Sequence, residues 1–429
     1  MRKNTDFGQI PNDWDVKKII DVKADDKRAI AMGPFGSNIK AENFVGQGVP
    51  VIRGTNLNFA KYVDGNFVYL TEDKANELIG SNCKPMDLVF THRGTIGQVG
   101  LIPKNKFERY VISQSGMKLT VNPEIIDPEF LFYFFKSEFG QYQILKYESQ
   151  VGVPSISNPL TSLKEITVPV PPLPEQQAIA SVLSSLDDKI DLLHRQNKTL
   201  EAMAETLFRQ WFIEEAKDDW ELGTFEKWIS ETKGGDWGKE NPQDDFNKAV
   251  MCIRGTDIAD LQKGLPKSTP IRFIKAKKFD SIEPQNGDIV FEISGGTETQ
   301  STGRSYFVNE SVKKLFDYPI VFSNFCRLLK VRNSKFSLFV FLYLQYLYKN
   351  DEFFSLENGS SGIKNLNYKV LLFEQLYKMP PIELVLEFNN EVSCLFEKIN
   401  SNKFQISTLE NLRDTLLPKL MSGEIRVQH

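Results

Sequence analysis

The tetrapeptide Ile-Arg-Gly-Thr occurs twice in this chain, inside VIRGTN at residues 51–56 and inside CIRGTD at 252–257. Other similarities keep the same spacing of 201 residues: DLVF (87–90) falls on DIVF (288–291), and Gly94 on Gly295. Upstream, Asp13-Trp14 matches Asp219-Trp220, and GPFG (33–36) matches GDWG (235–238). Downstream the offset drifts to 209, where LEAMAETL (200–207) falls on LENLRDTL (409–416). Matches that keep their order with so little drift identify a tandem duplication. One fold must therefore be built twice.

Each copy divides into a globular segment, 1–172 or 216–379, and a helical one, 173–215 or 380–429. The globular segments mix short β-like runs (VPVIRGTNL, DLVFTH, MKLTVNP) with Gly and Asn punctuation, which predicts a mixed α+β fold. DPEFLFYFFKSEF opens with Asp127 and Pro128, a good helix start, and FSLFVFLYLQYLYK (336–349) is its expected counterpart. Both are apolar enough to be buried core helices. The prolines of VPVPPLPEQ (168–176) and MPPIE (379–383) read as stiff spacers that end any sheet before a long helix begins.

After the first spacer, apolar residues fall at Ile179, Leu183, Leu186, Ile190, Leu193, Leu200, Leu207 and Trp211. After the second they fall at Phe388, Val392, Leu395, Ile399, Ile406, Leu409, Leu416 and Leu420. Alternating steps of four and three mark heptad seams, predicting two helices of roughly 35 residues. Each seam contains one asparagine, Asn197 or Asn402. Each either reaches solvent at the seam edge or faces the other. If the duplication has a pseudo-twofold axis, the helices pack antiparallel. With Asn197 opposite Asn402, Leu193 then meets Ile406, Ile190 meets Leu409, Leu200 meets Ile399 and Leu207 meets Val392. Leu186 opposite Arg413 is the exception. Such an asparagine pair costs stability and fixes register.

The formal net charge is −4. Residues 175–215 carry net −4 and 380–429 net −2, so the globular remainder is +2, mildly basic beside acidic helices. No apolar run approaches the ~18 residues of a membrane span, and the N-terminus lacks a signal-peptide core. Cys83, Cys252, Cys326 and Cys394 are scattered, with no zinc or disulfide framework, so a reducing cytoplasm is the expected location.

PFGSNIK (34–40), VPVIRGTNL (49–57), THRGTIGQVG (91–100), VPVPPLPEQQAIASVLSSLDDKI (168–190) and LRDTLLPKLMSGEIRV (412–427) together resemble the specificity subunit of type I restriction–modification systems. The resemblance spans essentially the whole chain. It departs where PPIELVLEF replaces the Pro-Pro-Leu-x-Glu-Gln form and where PFGSNIK becomes DWGKENP. It implies two target recognition domains joined by two long helices in an antiparallel coiled coil. Each domain would read one half of an asymmetric, bipartite site on double-stranded DNA, with the coiled coil setting the gap. It further implies no chemistry and no bound cofactor in this chain. Two modification subunits would use S-adenosylmethionine to methylate adenine N6, and two restriction subunits would use ATP and Mg to translocate and cleave.

Catalytic signatures are missing from the sequence. There is no Asn-Pro-Pro-aromatic or Asp-Pro-Pro-aromatic methyltransferase motif and no GxxxxGK[ST] phosphate loop. His92, His194 and His429 lack metal-ligand spacing. Asp187-Asp188-Lys189 has nuclease-like spacing but reads better as a solvated face, and SGGTETQSTG (294–303) reads as a mobile loop. Residues kept in both copies, Arg53 with Arg254 and Thr55 with Thr256, suit scaffold or phosphate contacts. Base readers belong where the copies diverge. Arg93 is the candidate for a guanine edge, opposite Ser294 in the second copy. Ser37, Asn38, Lys40, Asn56, Thr95 and Gln114 complete the first set; Lys239, Asn241, Arg304 and Asn324 complete the second. The competing reading is a duplicated protein-binding scaffold that touches no DNA.

Overall fold

The computed structural model describes residues 2–6, 8–57, 61–149, 152–264, 269–359 and 362–427. They form two compact units, 1–191 with 410–429, and 192–409. Compactness thus groups each globular segment with one end of both long helices.

In the first unit, one four-stranded antiparallel sheet has the order Ile30–Met32, Gly116–Leu119, Leu88–Thr91, Val99–Leu101. A second has the order Val68–Leu70, Val49–Ile52, Tyr110–Ile112, Asn82–Cys83, with a parallel pair in which Ile52 lies opposite Ile112. Val49–Ile52 and Leu88–Thr91 are buried at every position, which is why both read as unbroken apolar runs.

The second unit repeats this topology. Its four-stranded sheet runs Ile229–Gly234, Cys326–Val331, Ile289–Glu292, Ser305–Phe307, again antiparallel. Its three-stranded sheet runs Ile271–Lys275, Phe246–Ile253, Ile320–Phe322, and its parallel pair sets Ile253 opposite Phe322. The duplication therefore extends to strand order, direction and register. The molecule is α+β, with two similar mixed domains and two long helices.

The apolar helices form as core elements. Asp127 accepts hydrogen bonds from the Glu129 and Phe130 N–H groups with Pro128 at the first helical position, and Phe130 through Phe135 are all buried. The counterpart helix is Ser337–Lys349. One expectation is corrected. Val168-Pro169-Val170 does not end the sheet but lies in the strand Thr167–Val170, antiparallel to Asp15–Lys18. Ile19 N–H donates to Ile166 O, so bonded pairs alternate from there and Pro169 occupies a non-hydrogen-bonded position.

The central helix, Leu173–Arg209, has 37 residues and the distal helix, Ile382–Met421, has 40. In the first unit Asp187 bonds Arg413 and Glu175 bonds Arg426, just past the distal helix. In the second, Asn197 bonds Asn402, and Trp211 packs on Phe388 with ring centroids 5.7 Å apart. Partners descend along one helix as they ascend along the other, so each unit holds an antiparallel pair. Asp187 is a second correction. It is 3% exposed, not part of a solvated face, because it accepts from Tyr133 Oη (2.7 Å) and Arg413 Nη1 (2.8 Å). The two carboxylates at Arg413 outweigh burial and hold its guanidinium protonated.

The seam asparagines are buried, and Asn402 Nδ2 donates to Asn197 Oδ1 at 2.8 Å and Gln196 Oε1 at 2.9 Å. The next buried residue, Lys403, is a cation in an apolar place. It donates to Leu261 O at 3.2 Å and lies 5.4 Å from the centre of the Tyr306 ring, beside a cavity of about 130 Å³ shared with Glu201, Phe307, Phe341 and Phe396. Burial lowers its pKa to about 8, with Glu201 opposing only in part.

Two predictions follow from these buried groups. Asn402→Leu should strand the Asn197 amide and cost about 1–3 kcal/mol, whereas Asn197→Leu with Asn402→Leu should melt above the wild type in thermal denaturation. Lys403 binds its proton less tightly folded than unfolded, so its penalty is complete below about pH 8 and fades toward 10.5. Lys403→Met should therefore be more stable at pH 7, by on the order of 3 kcal/mol, and that advantage should shrink between pH 8 and 10.5 in chemical denaturation.

Candidate nucleic-acid interface

The end of the parallel strand pair in each unit gathers the loops that carry the candidate residues. In the first unit, Ser113 N–H donates to Ile52 O, His92 N–H to Ser115 O, and Gly33 N–H to Gly116 O. Gly94 N–H donates to Pro154 O and Ile156 N–H to His92 O. These bonds tie loops 33–40, 53–57, 92–98, 113–115 and 153–156 into one cluster. Gly33 is required there, since a Cβ would sit 1.8 Å from Ser113 O.

The second unit builds the same cluster. Ser323 N–H donates to Ile253 O, Asp236 N–H to Phe322 O, Ile293 N–H to Phe325 O, and Leu366 N–H to Ile293 O. A Cβ on Gly235 would meet Phe322 O and Ser323 O at 2.2 Å, repeating the Gly33 constraint. The repeated Ile-Arg-Gly-Thr sits at the centre of each cluster, where a buried strand turns into helix: the 3-10 turn Gly54–Leu57 in one copy, the α-helix Gly255–Lys263 in the other. The third residue after each arginine caps that turn, Asn56 Oδ1 accepting from Arg53 N–H at 3.0 Å and Asp257 Oδ2 from Arg254 N–H at 2.9 Å.

Side-chain environments divide the candidates. Arg93, Thr95, Gln114 and Asn38 are exposed on the first cluster, and the Arg93 guanidinium has no partner among the described residues. His92 behind them is neutral, its pKa lowered by burial, and its Nε2 lies 3.1 Å from Gln114 O, shaping that loop. Lys40 is exposed beside Glu42 at 3.6 Å, and the side chain of Ser37 lies outside the described residues, as does His429. Arg53 is exposed, with Nη2 3.2 Å from Asn66 O. Asn56 is a correction: only 1% exposed, its amide is spent on Asp64 O and Asn66 O, so it builds the turn and cannot reach a groove.

In the second cluster Asn324 is exposed, and Ser294 is half-buried against Asn365. Arg254 is bound by Asp257, with Nη2 to Oδ1 at 2.7 Å and Nε to Oδ2 at 3.0 Å, and that carboxylate raises its pKa. Arg304 is a further correction. Its Nη2 and Nε lie 2.5 and 2.9 Å from the two oxygens of Glu292, itself 1% exposed, so the pair supports the loop from beneath. Gly255 leaves room for that carboxylate, since a Cβ there would lie 2.3 Å from Glu292 Oε1. Lys239 and Asn241 belong to another neighbourhood. Both are exposed, and the Lys239 backbone pairs with Phe273 at the edge strand. The SGGTETQSTG stretch is no free loop either: Ser294–Gly295 pairs with the strand Lys364–Leu366, and the Thr302 and Gly303 N–H groups bond Glu357 and Glu292.

Sequence reasoning passed over one element in each cluster. Glu148–Ser149 pairs with Ser155–Ile156, and Glu357–Asn358 pairs with Lys364–Leu366. Gly152-Val153 and Gly362-Ile363, 210 residues apart, were the signal that could have found this repeated hairpin. Among the described residues no group of three His, Cys, Asp or Glu side chains is placed to hold a metal, and no helix is long and apolar enough to cross a membrane.

Two mixed domains, each with a loop cluster at the end of a parallel strand pair, and two antiparallel helices define a tandemly duplicated architecture. Comparison with known proteins shows what the chain resembles. The family model described as "Type I restriction modification DNA specificity domain" matches residues 11–202. The chain is 28% identical to the type I restriction enzyme MjaIX specificity subunit of Methanocaldococcus jannaschii, covering 99% of this chain and 96% of that one. It is 24% identical to the HindI specificity subunit of Haemophilus influenzae, over 86% and 94%. The crystal structure of a type I restriction-modification S subunit from M. genitalium has the same fold, with TM-score 0.58, 18% identity and 96% of each chain covered. Over almost its whole length the chain is thus similar to specificity subunits of type I restriction–modification systems.

The Glu292–Arg304 pair generates a prediction. Glu292→Ala should strand a largely buried guanidinium and cost about 3–5 kcal/mol, and adding Arg304→Leu should restore part of the loss in thermal melts.

Proposed function

We propose that the chain reads a bipartite, asymmetric site on double-stranded DNA, one half with each loop cluster, and that the paired helices set the gap between halves. The reading is carried by one observation: the same cluster is built twice on the same strand framework, but with different exposed side chains. Similar scaffolds with divergent tips suit two different sequences. Half-sites on one duplex face recur about every 34 Å, and helices of 37 and 40 residues are long enough for such a separation.

Within the first cluster, Arg93 is proposed to pair with a guanine edge, with Gln114, Asn38 and Thr95 as further polar contacts. Asn324 and Ser294 take that role in the second. Arg53, Lys40, Lys239 and Asn241 are assigned to phosphates, which position the protein without reading sequence. Arg254 contributes through its bound carboxylate, holding the turn.

The chain itself performs no bond chemistry in this reading. It places DNA before two modification subunits that methylate adenine N6 with S-adenosylmethionine. Two restriction subunits using ATP and Mg would join for cleavage. Partners of this kind fit the names of the relatives, type I restriction enzyme specificity subunits.

The test is co-expression of the chain with its modification partner, followed by genome-wide mapping of methylated adenines. A gapped motif dependent on the chain supports the reading, and methylation that ignores the chain refutes it. Arg93→Ala should relax or abolish one half of that motif, by about 1–3 kcal/mol of discrimination, and leave the other half intact.

A further inference from the structure

Each loop cluster presents one bare phenyl ring, and the two rings come from different loops. Phe35, in the loop after Gly33, is 71% exposed, the most exposed large hydrophobic side chain among the described residues. Phe325, in the loop after Phe322, is 53% exposed. Neither ring stacks on another aromatic or a cation among the described residues. Their backbones are nevertheless fixed. Gly33 N–H is held by Gly116 O two residues before Phe35, and Phe325 O accepts from both Ile293 (2.8 Å) and Ser294 (3.2 Å).

The duplication shows that exposure at these positions is not imposed by the fold. The counterpart of Phe35 is Trp237, and that ring is covered: the Arg272 guanidinium lies 4.4 Å from its centre while Arg272 Nε donates to Trp237 O. The counterpart of Phe325 is Ser115, a half-buried residue whose carbonyl accepts from His92 N–H. A third apolar position behaves differently. Val153 and Ile363, 54% and 50% exposed, are equivalents on the repeated hairpin. Apolar contacts kept in both copies serve both halves alike, whereas Phe35 and Phe325 differ between copies.

We propose that Phe35 and Phe325 are specificity-determining residues, each reading a thymine of its own half-site through the 5-methyl group in the major groove. This rests on the proposed DNA-reading function. A phenyl ring offers no hydrogen bond, so in a groove it can select only an apolar feature, and the thymine methyl is the one the major groove displays. Phe35 shares its loop with Asn38 and its cluster with Arg93 and Gln114, and Phe325 follows Asn324 in the chain, side chains suited to the donor and acceptor pattern of the same groove. A rigid ring also loses little conformational freedom on contact.

The experiment uses the full chain in complex with its modification partner and duplexes carrying the mapped motif. Thymines of one half-site are replaced by deoxyuridine, which removes only the methyl, and affinity is measured by competition anisotropy. Replacement in the first half should weaken wild-type binding roughly three- to five-fold, the worth of one buried methyl. Phe35→Ala should bind the thymine duplex at that weaker level and no longer distinguish it from deoxyuridine, while replacement in the second half still weakens it. Phe325→Ala should give the mirror result. Wild-type indifference to deoxyuridine, or discrimination surviving in Phe35→Ala, overturns the proposal. A rise in 2-aminopurine fluorescence next to the contact without any deoxyuridine effect also overturns it, in favour of a wedge between bases. Retained preference for the motif over unrelated DNA in those outcomes separates failure here from failure of the DNA-reading function, in which that preference is absent.

Discussion

The antiparallel pairing of the central and distal helices is the constraint on which each unit depends. Neither globular segment closes its core alone. The core around Trp14 and Phe130 includes Ile179, Leu183, Leu420 and Met421 from the two helices, and the core around Trp228 and Phe339 includes Phe208, Phe388 and Val392. Loss of that pairing would expose both cores, and the loop clusters would lose the framework that holds them in place.

The two units solve the same docking problem with different chemistry. In the first, charged and hydroxyl groups converge: Tyr133 and Arg413 on Asp187, Ser184 and Tyr62 on Glu129, Lys61 on Asp188. At the helix offset of 209, Asp187 corresponds to Phe396 and Arg413 to Ala204. The second unit is accordingly held by rings, with Phe208, Phe212, Phe339, Tyr343 and Phe388 packed at centroid distances of 4.8 to 6.2 Å. A buried charge network demands matched geometry at every member, while an aromatic cluster tolerates small shifts. Asn402 with Asn197 and Lys403 then supply the polar constraints on the second unit.

Inside the clusters, the same separation of duties recurs. Backbone bonds between neighbouring loops fix the chain path, and the buried carboxylates of Glu292 and Asp257 hold Arg304 and Arg254 in place. Among the described residues, what remains outside includes polar side chains such as Arg93, Gln114 and Asn324, together with the two phenyl rings. These are free to differ between copies because nothing in the fold depends on them.

The repeat, several of the strand runs and the two helical seams were legible in the sequence because they rest on local periodicity and on matching a chain against itself. The heptad spacing brought out residues 179–211 and 388–420, and the Asp127-Pro128 start named its own helix. Side-chain roles were less legible. Arg93 and Arg304 look alike in sequence, yet one guanidinium is exposed, with no partner among the described residues, and the other is bound by a carboxylate twelve residues away. Asn56 looks like a loop residue and is buried, and Asp187 looks solvated on a helix but faces Tyr133 and Arg413. Sequence by itself determined the duplication, the long and apolar helices and the most apolar strand runs, since those follow from the backbone and its nearest neighbours. Tertiary structure alone decided which polar groups are consumed internally and which face outward, because that depends on partners brought together from distant parts of the chain.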